Sequence, residues 1–213
     1  MTSYAHLTPL ETLLMTLIAV ATNLAGLPLA LKTIAHPTLH FHGHVFLMSV
    51  ISSGLYHLCE IYEFVIFLDE LQWHRLDNIF AITSFQLMIL HVMGAVTPRD
   101  HSLKWSTLLL SIVIQEPDPW NVAYTVAPCI WAVVLGVAIR VYHWKERQVS
   151  YDRRRMATGL LWLIAGLVFF VVGLDDPNDY LRMSHGMWHV CASLFGYYCI
   201  DAVEVTDYRK LSE

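Results

Sequence analysis

Seven apolar stretches, separated by short polar segments, fill most of the chain. They cover residues 9–31, 42–59, 76–96, 105–115, 120–142, 156–174 and 180–202. All but the fourth have the roughly 17–25 residues that a transmembrane helix needs. The fourth must extend back through Ser102, tilt, or enter the membrane only part-way. Because only 15% of the residues are charged, against roughly 25% in soluble domains, we predict an all-α polytopic membrane protein. Residues 1–213 would form a single seven-transmembrane helix bundle.

The basic residues predict the orientation of this bundle. With the N-terminus outside, every Lys and Arg except Arg75 and Arg182 falls on the cytoplasmic side. Cytoplasmic segments of membrane proteins carry such an excess, so we expect the C-terminus to be cytoplasmic. The membrane would be the plasma membrane or a secretory-pathway membrane (Golgi or ER).

Charge and small residues indicate which partners to expect. The net charge is -5, and a nucleic-acid-binding protein would carry a basic surface instead. We expect membrane lipids as partners and no nucleic acid. Gly159 and Gly166 would allow the close helix contacts of a homodimer. The four cysteines all fall in apolar stretches, which argues against a disulfide framework.

Three polar clusters lie near the predicted outer ends of the second, third and seventh spans. Ser53 and His57 are four residues apart and share one face of the second span. Asp77 lies at the start of the third span, and His185 and His189 begin the seventh with the same four-residue spacing. Because the second span runs outward and the other two run inward, all three clusters are expected at a similar depth.

These residue types at this spacing predict a zinc site. Two imidazoles at positions i and i+4 of a helix can bind one metal ion, and three histidines with one open position are typical of catalytic zinc. We therefore predict Zn²⁺ bound by His57, His185 and His189. Asp77 would hold a metal-bound water or orient an imidazole, and Ser53 would donate a hydrogen bond to that water or to a bound carbonyl.

Other interpretations of the histidines remain open. Histidines inside a helix bundle can also be satisfied by Ser, Tyr or backbone carbonyls. His40 and His44 share a helix face and form a rival metal pair, but they lie at the cytoplasmic entry without a carboxylate, which favours an interfacial role. His74 is expected in the outer loop. Three neighbours of the proposed ligands are expected to pack around the site without binding metal: Trp188, Cys59 and Cys191.

The motifs also resemble a known group of proteins. Ser-x-x-x-His in the second span, Asp early in the third and His-x-x-x-His in the seventh are similar to those of the CREST superfamily. The segments SGLYHLCE and DDPNDYLRMSHGMWHVCASLFGYY most resemble its transmembrane protein 8 and myomaker branch. The resemblance implies seven transmembrane helices and a zinc held by His57, His185 and His189, with Ser53 and Asp77 close to the water on the metal.

Two functions follow from this resemblance. A myomaker-like protein would promote membrane remodelling or cell–cell fusion, with zinc mainly tying the second and seventh spans together. Alternatively, a ceramidase- or phospholipase-like protein would use the zinc to hydrolyse a lipid amide or ester. The complete set of Ser, Asp and three His supports hydrolysis, while the branch and the short chain support the fusion class. Whether the protein is an enzyme is therefore left open. A receptor is disfavoured because the cytoplasmic connections are short.

Overall fold

Helices account for most of the structure, a computed structural model that describes residue 4 and residues 7–95, 100–145, 147–175 and 178–207. The helices are α1 (Pro9–Ala21), α2 (Leu27–Ala35), α3 (His40–Tyr62), α4 (Glu70–Val92), α5 (His101–Gln115), α6 (Val122–Tyr142), α7 (Arg153–Gly173) and α8 (Met183–Ile200). Short 3-10 turns at Thr22–Gly26 and Tyr180–Arg182 precede α2 and α8. Two strands, β1 (Arg147–Tyr151) and β2 (Val203–Asp207), pair with each other.

Four helical segments are long and apolar enough to cross a membrane. They are Pro9–Ala35, which joins α1 and α2 through the 3-10 turn, and the helices α3, α6 and α7. The apolar side chains of α6 and α7 mostly face outward, including Ile130 and Leu161, which are 59% and 68% exposed. An apolar outer surface of this kind suits lipid rather than water. The chain is therefore an all-α integral membrane protein.

Each predicted apolar stretch overlaps one helical segment. The fourth stretch extends back to His101, one of the possibilities left open for it, and forms the 15-residue helix α5. Helix α4 has 23 residues but is more polar than the four apolar segments, and α8 has only 18 residues. Val96, the predicted end of the third stretch, lies outside the described residues. The count of seven membrane crossings stays a prediction.

The first helical segment is broken just before Pro28. At the break, the Thr22 hydroxyl donates to the Ile18 carbonyl at 2.5 Å, and the Asn23 amide donates to the Ala19 carbonyl at 2.7 Å. Such side-chain bonds compete with regular helical bonding, and Pro28 occupies the first turn of the next helix, where proline is well tolerated. The break brings Thr22 beside His189.

A second proline lies inside α6 and is accommodated by side chains of its neighbours. Pro128 has no backbone N–H, which frees the carbonyl of Tyr124 four residues earlier. The Gln115 amide donates to that carbonyl at 3.0 Å, and the Gln86 amide donates to the Pro128 carbonyl at 3.1 Å. Ser111 in turn donates to the Gln86 side chain. These buried bonds hold α4, α5 and α6 together.

Glycines at seven-residue intervals let α7 pack closely on α8. Gly159, Gly166 and Gly173 all face α8, and a Cβ added at Gly173 would lie 3.0 Å from the backbone nitrogen of His185. A Cβ at Gly166 would lie 3.0 Å from the Cβ of Cys191. Gly159 and Gly166 are therefore used inside the chain, so they do not provide the homodimer surface expected of them. A homodimer stays a prediction.

The strand pair joins two distant parts of the chain. β1 and β2 are antiparallel, with Arg147 opposite Asp207 and Tyr151 opposite Val203. Nearby, both Lys32 and Arg155 form ion pairs with Asp201. The connection between α6 and α7 and the segment after α8 therefore lie at the same end of the bundle, next to the end of α2.

Candidate metal centre

Three histidine side chains meet between α3 and α8. His57 lies near the C-terminal end of α3, and His185 and His189 lie one turn apart near the start of α8. One ring nitrogen from each lies within 4.8 Å of the others. The His57 ring centroid is 4.9 Å from that of His185 and 5.4 Å from that of His189. The fold thus brings the three predicted ligands together.

Two of these imidazoles carry a buried nitrogen that has no partner. The Nε2 atoms of His57 and His185 are shielded from solvent and make no hydrogen bond to any residue that the structure describes. Buried polar atoms without a partner are rare and call for a water or an ion. Because neutral imidazole nitrogens are common zinc ligands, this donor set fits Zn²⁺. Metal binding itself stays a prediction.

Glu60 is a functional candidate that the sequence analysis missed. Its Oε2 lies 2.9 Å from Nδ1 of His57, and the carboxylate is also 3.4 Å from the guanidinium of Arg182. All three residues are buried. The signal was available, because positions i and i+3 share a helix face.

Asp179 fixes the first turn of α8, which carries His185. Its two carboxylate oxygens accept hydrogen bonds from the backbone nitrogens of Ser184 and His185, at 2.8 and 2.9 Å. Carboxylates are favourable at a helix N-terminus because they satisfy free N–H groups. The spacing of the histidines within α8 was predictable, whereas this capping contact across the 3-10 turn was not.

Ser53 and Asp77 lie beside the histidines rather than among the candidate ligands. Within the described residues, the group that could hold a metal consists of the three histidines alone. Ser53 on α3 is buried, and its hydroxyl has no hydrogen-bond partner among the described residues, while Asp77 lies on α4. The roles of Ser53 and Asp77 close to a metal-bound water stay predictions.

A cavity of about 120 Å³ begins at Asp77 and His189. It lies between α2, α3, α4 and α8, and His189 is the one of the three histidines that lines it. Its walls are mostly apolar. The lining residues include Leu29, Phe46, Val50, Ala81, Phe85, Met88, Trp188, Ala192 and Phe195. Such a cavity suits a hydrocarbon chain better than a polar ligand.

The prediction that His74 lies in the outer loop is wrong. His74 is in the second turn of α4 and only 9% exposed. Its ring stacks on Trp120 at a centroid distance of 3.7 Å and lies 4.8 Å from Tyr56, which in turn contacts His57. Helix α4 begins at Glu70, before the predicted apolar stretch that starts at residue 76, because Asp69 caps the helix together with Gln72.

The rival histidine cluster does not form a metal group within the described residues. His40 and His44 are exposed, and Nδ1 of His44 is 2.6 Å from the His40 carbonyl oxygen. His42 points the other way, is fully buried, and lies 6.3 Å from the ring of His91. His42 lies near the N-terminal end of α3, whereas His57 lies near the C-terminal end.

Three residues were expected to pack around the site: Trp188, Cys59 and Cys191. Trp188 stacks on Phe85, with centroids 5.4 Å apart, and also packs against Phe170. Cys59 and Cys191 are buried free thiols. Neither belongs to the group that could hold a metal among the described residues.

A protein-family model described as "Protein of unknown function (DUF3522)" matches residues 11–190. The chain belongs to this family. The DUF3522 match begins in α1, ends in α8 and includes all five residues of the predicted site. A search of curated proteins finds no match. The family description gives no activity, so the function has to be argued from the site.

Proposed function

We propose that this DUF3522 protein is an intramembrane, zinc-dependent hydrolase that acts on a lipid amide or ester. One observation carries the proposal: His189, which clusters with His57 and His185, lines a mostly apolar cavity together with Asp77. A purely structural histidine cluster would not need a cavity for a hydrocarbon chain. The resemblance to the CREST superfamily, which includes ceramidases, also supports this function.

The residues around the site have complementary roles in the proposed reaction. A bound zinc would lower the pKa of water towards about 7 and polarise a carbonyl oxygen. Hydrolysis adds one water across the C–N or C–O bond and releases a carboxylic acid and an amine or alcohol. Asp77, at the mouth of the cavity, accepts the proton of the water and delivers it to the leaving group. The Ser53 hydroxyl donates to the substrate carbonyl.

The cavity supports an acylated lipid as the substrate. On α4 it extends from Asp77 to Met88, which corresponds to about 16 Å along a helix axis. A hydrocarbon chain lying there would place its carboxyl end beside Asp77 and His189. The substrate is therefore an acylated lipid that enters from the membrane rather than a soluble metabolite.

The finer topology is also part of the proposal. We propose seven crossings with the N-terminus outside and the C-terminus cytoplasmic, in the plasma membrane or a secretory-pathway membrane. The strand pair supports it, because two crossings by α7 and α8 return the chain to the same side, where β1 and β2 pair. The metal site would then lie near the outer face.

A second candidate is myomaker-like membrane remodelling or cell–cell fusion. One observation favours it: the ligands come from two helices, so a metal would tie α3 to α8 even without catalysis. The similarity of SGLYHLCE and the α8 motif to the transmembrane protein 8 and myomaker branch points the same way. In this case the zinc is structural, and no lipid product is expected.

Lipid turnover by the purified protein distinguishes the two candidates. The protein in lipid nanodiscs is incubated with a library of acylated lipids, and products are identified by mass spectrometry. We expect a free fatty acid from the wild type and a loss of about 10²–10⁴-fold in rate for Asp77→Asn, because a general acid–base contributes that much. Zinc content should be unchanged in Asp77→Asn. The matched control is Asp118→Asn, which alters an exposed aspartate.

The outcome that contradicts hydrolysis is equally clear. A wild-type protein that holds zinc yet releases no product from any lipid class would leave the structural role in membrane remodelling. Equal rates for the wild type and Asp77→Asn would remove Asp77 from the mechanism.

A further inference from the structure

We infer that Glu60 is a positioning residue of the site, orienting His57 towards the metal and docking the start of α8 onto α3. The inference rests on the proposed metal site. Glu60 was in none of the predicted motifs. Its case comes from two contacts made by a single buried carboxylate, one to His57 and one to Arg182.

The first contact fixes the tautomer of His57. Glu60 is an acceptor only, because an ionised carboxylate has no proton to donate. With Oε2 at 2.9 Å, the Nδ1 atom of His57 must therefore carry the hydrogen. The lone pair of the neutral ring is then on Nε2, the buried atom that has no protein partner among the described residues. This is the arrangement in which a histidine binds a metal through Nε2 and a carboxylate supports it from behind.

The second contact ties this carboxylate to the turn before α8. Arg182 is buried, and its Nη2 lies 3.4 Å from Oε1 of Glu60. Arg182 has a left-handed backbone, with a φ of 57°, at the point where the 3-10 turn becomes α8. His185 follows three residues later. The ion pair thus holds the ligand-bearing turn of α8 against the ligand-bearing turn of α3.

The charges explain why both contacts are needed. A buried carboxylate is strongly disfavoured unless a cation and hydrogen bonds compensate it. Arg182 supplies the positive charge, and the Tyr4 hydroxyl also reaches Oε1 at 3.4 Å. Oε2 is left to accept from His57. A neutral ring that donates to a carboxylate is a more basic metal ligand.

An ordinary buried ion pair between Glu60 and Arg182 is the competing explanation. In that case the ion pair stabilises the fold, and substituting Glu60 lowers zinc binding only because less of the protein is folded. Two variants separate the explanations. Glu60→Gln keeps the shape but removes the charge. Glu60→Asp keeps a buried negative charge near Arg182 but shortens the side chain, which moves the carboxylate away from Nδ1 of His57.

Zinc affinity and a spectroscopic probe test the inference. Each variant is purified in detergent and its folded fraction measured by size-exclusion chromatography and melting. Zinc affinity of the folded fraction is determined by competition with a chelator. We expect Glu60→Gln and Glu60→Asp each to lose about 10–100-fold in zinc affinity, the usual effect of removing such a partner. After substitution with Co²⁺, their visible absorption should differ from that of the wild type. Glu63→Gln, an exposed neighbour, is the matched control and should match the wild type.

The possible failures are distinct. If the wild type binds no zinc, both the metal site and the role of Glu60 are overturned. If the wild type binds zinc and both Glu60 variants keep its affinity and its cobalt spectrum, only the positioning role is overturned, and Glu60 is a structural ion-pair residue.

Discussion

Two single-residue features fix the position of His185. Asp179 holds its backbone nitrogen from one side, and the missing side chain of Gly173 leaves room for its backbone on the other. A backbone atom cannot move aside as a flexible side chain can. The placement of this imidazole therefore depends on a glycine at the end of the neighbouring helix α7.

Gly173→Ala should disturb the site from outside it. The added Cβ would lie 3.0 Å from the nitrogen and 3.1 Å from the Cα of His185, so the start of α8 has to shift. Overpacking of this kind costs about 1–3 kcal/mol. We expect a lower melting temperature and weaker zinc binding, measured in detergent with chelator competition. Gly54→Ala is the control, since nothing lies within 4 Å of its added Cβ. Equal zinc affinities for the two variants would contradict this expectation.

At the residue level, the sequence predicted which residues lie close together on one helix and missed the contacts between residues of different helices. The spacing of His185 and His189 places them on one face of α8, so their proximity was predictable. Glu60 belongs to none of the predicted motifs, because composition cannot show that Arg182 folds back onto it. His74 was assigned to a loop because the charged residues around it lower the hydropathy at the start of α4.

At the level of helices, hydropathy located the segments but not their polar contacts. α4 lies among α3, α5, α6 and α8, so its Gln86 and Thr83 are buried by protein rather than exposed to lipid. A central helix can therefore be more polar than one that faces lipid. The 3-10 break at Thr22–Gly26 depends on the bonds made by Thr22 and Asn23, which hydropathy does not show.

For the whole molecule, the strand pair provides the constraint that the sequence did not show. β1 lies in the connection between α6 and α7 and has no strong strand signal of its own. Pairing with β2 supplies the backbone hydrogen bonds that make it a strand. Asp201, paired with Lys32 and Arg155, closes the same end of the bundle.

The proposed topology predicts which residues face the cytoplasm. In sealed microsomes, whose outer surface is cytoplasmic, an impermeant thiol reagent should label Arg154→Cys and Glu204→Cys without detergent. Glu116→Cys should be labelled only after the membrane is opened, because it lies on the opposite side in the seven-span topology. Labelling of Glu116→Cys in sealed vesicles together with Arg154→Cys would contradict seven crossings or their orientation. The wild-type protein, with its four natural cysteines, serves as the background control.

The most direct test of the account is the zinc content of the purified protein. Elemental analysis should give about one zinc per chain for the wild type, as expected of a three-histidine site. His189→Ala should lose most of the metal, whereas His44→Ala, an exposed histidine on α3, should retain it. Two results would contradict the metal centre on which both proposed functions depend. The first is a zinc content below about half an equivalent in wild-type protein that was purified in the presence of zinc and without refolding. The second is an equal loss of zinc in the two variants.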